Sequence, residues 1–142
     1  MNLGIIIPHL GSSQMAHEAI KLVNQAKDAV IFVEQLIAPC MPVHCASMCI
    51  TEAVSFGGLL ITTNIENTMM ASEIVNRKKV KLVFYVWDLE WLRPNKANYL
   101  YNLKAYGTPD VLVVRHQDHV SPLANYCNRK PIVKEFSEVT QC

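Results

Sequence analysis

Short, almost continuous apolar runs alternate with helix-type patterns along this chain, and this alternation constrains its fold more than any other feature. A continuous apolar run indicates a strand that is buried on both faces, because neighbouring side chains of a strand point to opposite faces of a sheet. Such strands, separated by helices, are typical of a mostly parallel sheet. We therefore expect an α/β fold with a sheet of five to six strands and helices on both faces. The runs occupy residues 2–7, 29–33, 59–63, 80–86, 111–114 and, as a shorter sixth, 131–133.

The composition indicates one folded domain and narrows the classes of partner. Hydrophobic residues make up 51% of the 142 residues and charged residues 18%, which excludes a disordered chain. A net charge of +1 argues against nucleic acid as a partner. No apolar run approaches the roughly 20 residues that span a bilayer, and no signal peptide is visible at the N-terminus. We therefore expect a cytoplasmic protein with no membrane partner.

The five cysteines predict neither disulfides nor a metal centre. An odd number of cysteines in a chain of this size is typical of a reducing compartment. Cys40, His44, Cys45 and Cys49 lie close in sequence, but their spacing does not match a zinc site. Cys45 and Cys49 are expected to pack as small hydrophobic residues, with a short helix over residues 47–55. We expect no metal and no cofactor.

Capping residues and polar segments set the expected boundaries of the remaining elements. Asn67 or Thr68 fits the N-cap of the helix after the third run, and Asp118 fits the N-cap of the last helix. No internal repeat or second domain is visible. We therefore assign residues 1–134 to one Rossmann-like domain and residues 135–142 to a polar tail that frays.

Four of the predicted strands end in polar residues. The carboxyl ends of parallel strands lie along one edge of a sheet, and ligands of open α/β sheets bind in a crevice at that edge. Residues distant in sequence are therefore expected to meet at one site there. His9 and Asp88 are the candidate catalytic residues. The candidate ligand-binding residues are Gly11, Ser12, Ser13, Gln14, Asn64, Trp87, Arg115 and His116.

The loop after the first strand, Gly11-Ser12-Ser13-Gln14, leads into a helix whose first N–H groups can hold a phosphate or a carboxylate. The alternative is that its serines only cap the helix. The loop lacks both the G-x-G-x-x-G dinucleotide fingerprint and the P-loop motif. His9, just before the loop, is a candidate base or ligand-binding group, or else a structural residue.

Two later strand ends carry aromatic and charged residues. Trp87 and Trp91 can form a platform for a sugar or a base, with Asp88 binding hydroxyl groups, or the two rings can close the core. A glycosidase is not predicted, because Asp88 and Glu90 share one short segment. Arg115 has the fork geometry that binds a phosphate or a carboxylate.

Two stretches of the sequence resemble a known family. They are Leu3-Gly4-Ile5-Ile6-Ile7-Pro8-His9-Leu10-Gly11-Ser12-Ser13 and Asp110-Val111-Leu112-Val113-Val114-Arg115-His116, the latter followed by Lys130-Pro131-Ile132-Val133. Together with the order of elements, they resemble the N-terminal Rossmann-like half of GT-B-type glycosyltransferases. The chain is also similar, more loosely, to small glycosyltransferase-like proteins of tailed bacteriophages, which would place it in the cytoplasm of a bacterial host.

The resemblance implies a fold and a ligand class but an incomplete enzyme. In that family a second, C-terminal domain holds most of the nucleotide-sugar donor, and its donor-binding residues have no counterparts in this sequence. A partner chain or a homo-oligomer would have to supply them, or the protein binds without catalysing.

Two functions stay open at this stage. The first is a glycosyltransferase-like protein that binds a nucleotide, a nucleotide-sugar or a phosphorylated sugar, with His9 or Asp88 as base and Arg115 near a phosphate. The second is a non-catalytic phage binding module that sequesters a small nucleotide-like host molecule.

Overall fold

The computed structural model describes residues 2–142. Seven strands within this range form one parallel sheet. The predicted α/β class is confirmed, and the sheet has one strand more than the expected maximum of six. The strands are β1 (Leu3–Ile7), β2 (Ala29–Val33), β3 (Ala46–Cys49), β4 (Gly58–Thr62), β5 (Val80–Val86), β6 (Val111–Val114) and β7 (Ile132–Val133). Their spatial order is β3-β2-β1-β4-β5-β6-β7, so the chain builds outward from β1 in one direction and then in the other.

Helices cover both faces of the sheet. The α-helices are α1 (Gln14–Gln25), α2 (Ile65–Ile74), α3 (Tyr99–Gly107) and α4 (Val120–Cys127). Short 3-10 turns occupy Ile50–Ser55, Glu90–Leu92, Pro94–Lys96, Gln117–His119 and Phe136–Gln141. On one face α1 and the last 3-10 turn share a buried cluster with alternate strand residues such as Ile5 and Tyr85. On the other face α2, α3 and α4 pack against the intervening strand residues, among them Phe84 and Val86.

The strand β3 was not predicted, and it replaces the start of the expected helix over residues 47–55. It pairs in parallel with β2, with Val30 opposite Ala46 and Val33 opposite Cys49. All four of its residues are exposed, so it carries no apolar pattern, and backbone pairing with β2 holds it in place. Cys49 is exposed, contrary to prediction, whereas Cys45 is partly buried against the core.

Two predicted helix caps are wrong. Asn64, not Asn67 or Thr68, is the N-cap of α2, and the latter two residues are buried inside its first turn. Asp118 is exposed within the 3-10 turn before α4, and α4 begins after His119 without a side-chain cap. The helix α2 thus begins earlier in the sequence than predicted, and α4 begins later.

The structure also differs from the prediction of a fraying polar tail. Phe136 and Val139 are 2% and 0% exposed and belong to the same buried cluster as α1. A 3-10 helix has three residues per turn, so residues three apart lie on the same side. The polar residues Ser137 and Glu138 between them are exposed and hide this apolar pair in the sequence.

No helix within residues 2–142 combines the length and the apolar character needed to cross a membrane.

Candidate functional site

The direction of chain progression reverses between β1 and β4, which are neighbours in the sheet. In open α/β sheets the ligand crevice lies at the carboxyl ends of the strands at such a reversal. The four predicted polar segments follow β1, β4, β5 and β6, and all four therefore lie along this one edge. With about 4.8 Å between neighbouring strands, the four strand ends span roughly 14 Å.

A buried polar network fixes the turn between β4 and α2. Asn67 is 0% exposed, and its Oδ1 accepts hydrogen bonds of 3.1 Å from the backbone N–H groups of both Thr63 and Asn64. Its Nδ2 donates to Thr63 Oγ1 at 3.2 Å, and that hydroxyl donates to the carbonyl oxygen of Ile6 in β1 at 2.8 Å. Asn64 Oδ1 accepts from the N–H of Asn67 at 2.7 Å, which completes a capping box. The side chain of Asn64 is therefore held at the reversal point by a turn with satisfied polar groups.

Glu34 contacts Asn64 from the strand on the other side of β1. It directly follows β2, and its Oε2 accepts a hydrogen bond from Asn64 Nδ2 at 3.2 Å. The ends of β2 and β4 are thus connected across the end of β1. Glu34 was not among the residues predicted from the sequence, although a signal existed: it is an acidic residue at the end of the second strand, about 20 residues beyond Gly11.

Glu90 is a second acidic residue at this edge that was not predicted as a site residue. It is 4% exposed, and its Oε2 accepts a 2.9 Å hydrogen bond from the N–H of Ile65, the first residue of α2. Burial, with smaller contributions from the carboxylates of Asp88 and Glu34, raises the pKa of Glu90 to about 7. The hydrogen bond from Ile65 and the charge of Arg93 act in the opposite direction.

This pKa makes a prediction about stability. A carboxyl whose folded-state pKa is raised contributes stability that is fully present below its unfolded pKa of about 4.5 and is lost as the pH rises to about 7. We expect the free energy of unfolding of the wild type, measured relative to Glu90→Gln, to fall by as much as about 3 kcal/mol between pH 4.5 and pH 8. Urea unfolding across this pH range measures it. The matched control Glu52→Gln changes an exposed carboxylate and should show no such trend; identical trends for the two variants would contradict the prediction.

Both candidate catalytic side chains already have partners in the structure. His9 Nδ1 accepts a hydrogen bond from the N–H of Gly11 at 3.0 Å, so the neutral ring carries its proton on Nε2 and presents a donor. Asp88 forms an ion pair with Arg93. The predicted role of either residue as a base would therefore require its present partner to be displaced.

The loop after β1 caps the N-terminus of α1. Ser13 Oγ accepts from the N–H of Ala16 at 3.0 Å, while Ser12 and Gln14 are exposed. The connection between β2 and β3 folds over the loop, because the N–H of Cys40 donates to the carbonyl oxygen of Leu10 at 2.8 Å. Of the two alternatives for the serines, the structure contains the cap at Ser13.

Trp87 and Trp91 do not form one platform, because they lie in separate clusters on opposite faces of the sheet. The Trp87 ring packs against Tyr85 and Phe136, with centroid distances of 5.8 and 5.7 Å. The Trp91 ring stacks on Tyr126 at 4.1 Å. Both rings therefore pack against the core, and Trp87 in addition contacts Arg115, which follows the neighbouring strand β6.

Arg115 and His116 leave the end of β6 in different surroundings. The guanidinium of Arg115 lies 4.6 Å above the centroid of the Trp87 ring. His116 is exposed, and its ring centroid is 5.5 Å from that of His119. The structure thus brings Trp87 and Arg115 into direct contact, and it links Asn64 to Glu34 in a second group.

Four cavities have volumes of about 200 to 340 Å³, and none of them is lined by a candidate site residue. The largest of the four is lined by Leu3, Leu59, α1 residues and the last 3-10 turn, at the amino ends of the strands. Within residues 2–142, no group of three or more His, Cys, Asp or Glu side chains is placed to hold a metal ion.

Comparisons of the chain with models of known protein families, with curated proteins and with solved structures found no match. The resemblance to half of a GT-B glycosyltransferase therefore stays a prediction from the sequence, and the residues at the carboxyl edge are the basis for proposing a function.

Proposed function

We propose that this protein binds a nucleotide, a nucleotide-sugar or a phosphorylated sugar at the carboxyl edge of its sheet, in the manner of a glycosyltransferase-like domain. The observation that carries the proposal is the hydrogen bond between Asn64 and Glu34 across the reversal point. It places a carboxylate and an amide together where open α/β sheets bind their ligands.

The chemistry of these groups suits a hydroxylated ligand. In dinucleotide-binding folds, an acidic residue at the end of the second strand hydrogen-bonds the ribose hydroxyl groups. Glu34 occupies that position, and Nε2 of His9 supplies a donor at the end of the neighbouring strand. The rigid turn at Asn67 holds Asn64 in place before a ligand arrives, which lowers the entropy cost of binding.

The partners of the candidate bases favour binding without turnover as the second candidate function. A base toward an acceptor hydroxyl needs a free lone pair to accept its proton. The His9 nitrogen that has a lone pair, Nδ1, already accepts from the N–H of Gly11, and Asp88 is ion-paired with Arg93. A protein that sequesters a nucleotide-like molecule needs no such base.

Native mass spectrometry against a panel of nucleotides, nucleotide-sugars and sugar phosphates tests the proposal. We expect an adduct with at least one member, and we expect Glu34→Gln to weaken that binding about tenfold through the loss of a charge-assisted hydrogen bond. Glu52→Gln, which changes an exposed carboxylate on the 3-10 turn Ile50–Ser55, is the control and should bind as the wild type does. The absence of adducts with every member of the panel would refute the proposal.

The same experiment separates transfer from sequestration. When an acceptor sugar is added to a bound nucleotide-sugar, release of free nucleotide would establish transfer, and Asp88→Asn should abolish it. An adduct that persists unchanged would support binding without turnover, and Asp88→Asn would then alter only the affinity.

A further inference from the structure

Among the described residues 2–142, no protein group accepts a hydrogen bond from Arg115, which distinguishes it from the other three arginines. Arg77 and Arg93 are paired with aspartates, and Arg129 donates to backbone carbonyl oxygens. Within residues 2–142, Arg115 takes part in no ion pair, and its Nε is buried without a hydrogen-bond partner. A buried donor without a partner is costly, and a bound ion is one of the explanations for such a group in a native structure.

The guanidinium of Arg115 is nevertheless held in one place. It stacks 4.6 Å above the centroid of Trp87, whose ring packs against Tyr85 and Phe136. A stacked guanidinium uses its face for the aromatic ring and keeps the N–H groups at its edge for a planar, bidentate acceptor. The guanidinium of Arg115 is therefore held in position on Trp87 while, among the described residues, its N–H groups have no acceptor.

The other position at which this fold could bind a phosphate is partly covered. A methyl group added at Gly11 would lie 2.9 Å from Ile37 Cγ2 and 3.1 Å from His9 Nδ1. Ile37 and His9 therefore fill the space beside the Gly11 backbone that a closely approaching phosphate would occupy. The hydrogen bond from Cys40 to the carbonyl oxygen of Leu10 holds the covering connection in place.

We infer that the ligand of the proposed site carries phosphate and that Arg115, stacked on Trp87, binds that phosphate through its fork. This inference rests on the proposed function and makes it more specific. The guanidinium stacks on Trp87, which follows β5, and the end of β5 lies three strand spacings, or roughly 14 Å, from the end of β2, which Glu34 follows. A ligand that reaches both groups has its sugar hydroxyls at one end and its phosphates at the other. That length indicates a nucleotide or a nucleotide-sugar rather than a phosphorylated monosaccharide.

The inference is tested by titrating the ¹⁵N-labelled protein with inorganic phosphate and following the side-chain Nε–H signals of arginine by NMR. We expect the Arg115 Nε–H and the Trp87 indole N–H signals to shift and saturate. Acetate at the same ionic strength should leave both in place, and acetate shifts of equal size would overturn the preference for phosphate.

Variants of Arg115 give the second arm. Arg115→Met keeps the apolar stem over Trp87 and removes the fork, and Arg115→Lys keeps the charge alone. We expect the first to weaken phosphate binding tenfold or more and the second several-fold, while Lys79→Met, an exposed control, has no effect. Near-wild-type dispersion of the amide spectrum confirms that each variant is folded.

The outcomes distinguish this inference from the proposed function. If phosphate shifts the amides of residues 12–15 while the Arg115 signal stays still, or if a nucleotide binds Arg115→Met as tightly as the wild type, the inference fails and the proposed function stands. If phosphate binds at Arg115 and no nucleotide or sugar phosphate binds at all, the proposed function fails and Arg115 remains a phosphate-binding residue.

Discussion

Replacing Phe136 by alanine is expected to lower the free energy of unfolding by about 4 kcal/mol, as is usual for a buried phenylalanine. Its side chain is 2% exposed and lies edge-on to the rings of Tyr85 and Trp87, with centroid distances of 5.0 and 5.7 Å. Its removal would leave a cavity beneath the last 3-10 turn and loosen the ring on which Arg115 stacks. Urea unfolding followed by circular dichroism measures the effect.

The neighbouring residue supplies the control for this prediction. Ser137 is exposed in the same turn, and Ser137→Ala should change the stability by less than about 0.5 kcal/mol. If Phe136→Ala were as stable as Ser137→Ala, the last residues would contribute little to the core, as the sequence pattern had suggested.

Replacing Asn67 by alanine is expected to cost a similar amount, about 4 kcal/mol, for a different physical reason. The change removes the acceptor of two backbone N–H groups, those of Thr63 and Asn64, and the donor to the Thr63 hydroxyl. Each buried group left without a partner costs about 1–3 kcal/mol. Thermal and urea unfolding of the variant measure the loss.

The consequences of this change should extend to the ligand site. Because Asn67 holds Asn64 in place, we expect Asn67→Ala to weaken ligand binding even under conditions in which the variant is fully folded. Asn95→Ala, at an exposed position on a 3-10 turn, is the control and should change neither stability nor affinity. Unaltered stability of Asn67→Ala would show that solvent can take over the hydrogen bonds of the turn.

The strands that were predicted most accurately are those buried on both faces. The structure matches the predicted bounds of β2, β5 and β6, because an unbroken apolar run is a local signal of a strand that the sheet encloses. The strand β3 has no such signal: its four residues are exposed at the edge of the sheet, and its conformation depends on backbone pairing with β2. The conformation of such a strand is determined by pairing with a strand distant in the sequence, so its own residues do not predict it.

The candidate site likewise has a part that the sequence predicts and a part that it does not. Topology alone brings the residues after β1, β4, β5 and β6 to one edge, which is why the polar strand ends could be chosen from the sequence. Glu34 and Glu90 could not be assigned their surroundings, because the groups that they contact, on Asn64 and Ile65, are 30 and 25 residues away. The separation of the two tryptophans likewise depends on which face each side chain takes, and short 3-10 turns leave no periodicity from which to infer it.

The packing of the last 3-10 turn beside α1 also bears on how the chain folds during its synthesis. The two elements share one buried cluster, although α1 is translated more than a hundred residues earlier. While the ribosome is still adding the intervening strands, the surface around Tyr85 lacks its cover and stays open to chaperones. We therefore expect this face of the sheet to close only after Val139 has emerged from the ribosome, so that nascent chains arrested before that point remain sensitive to protease.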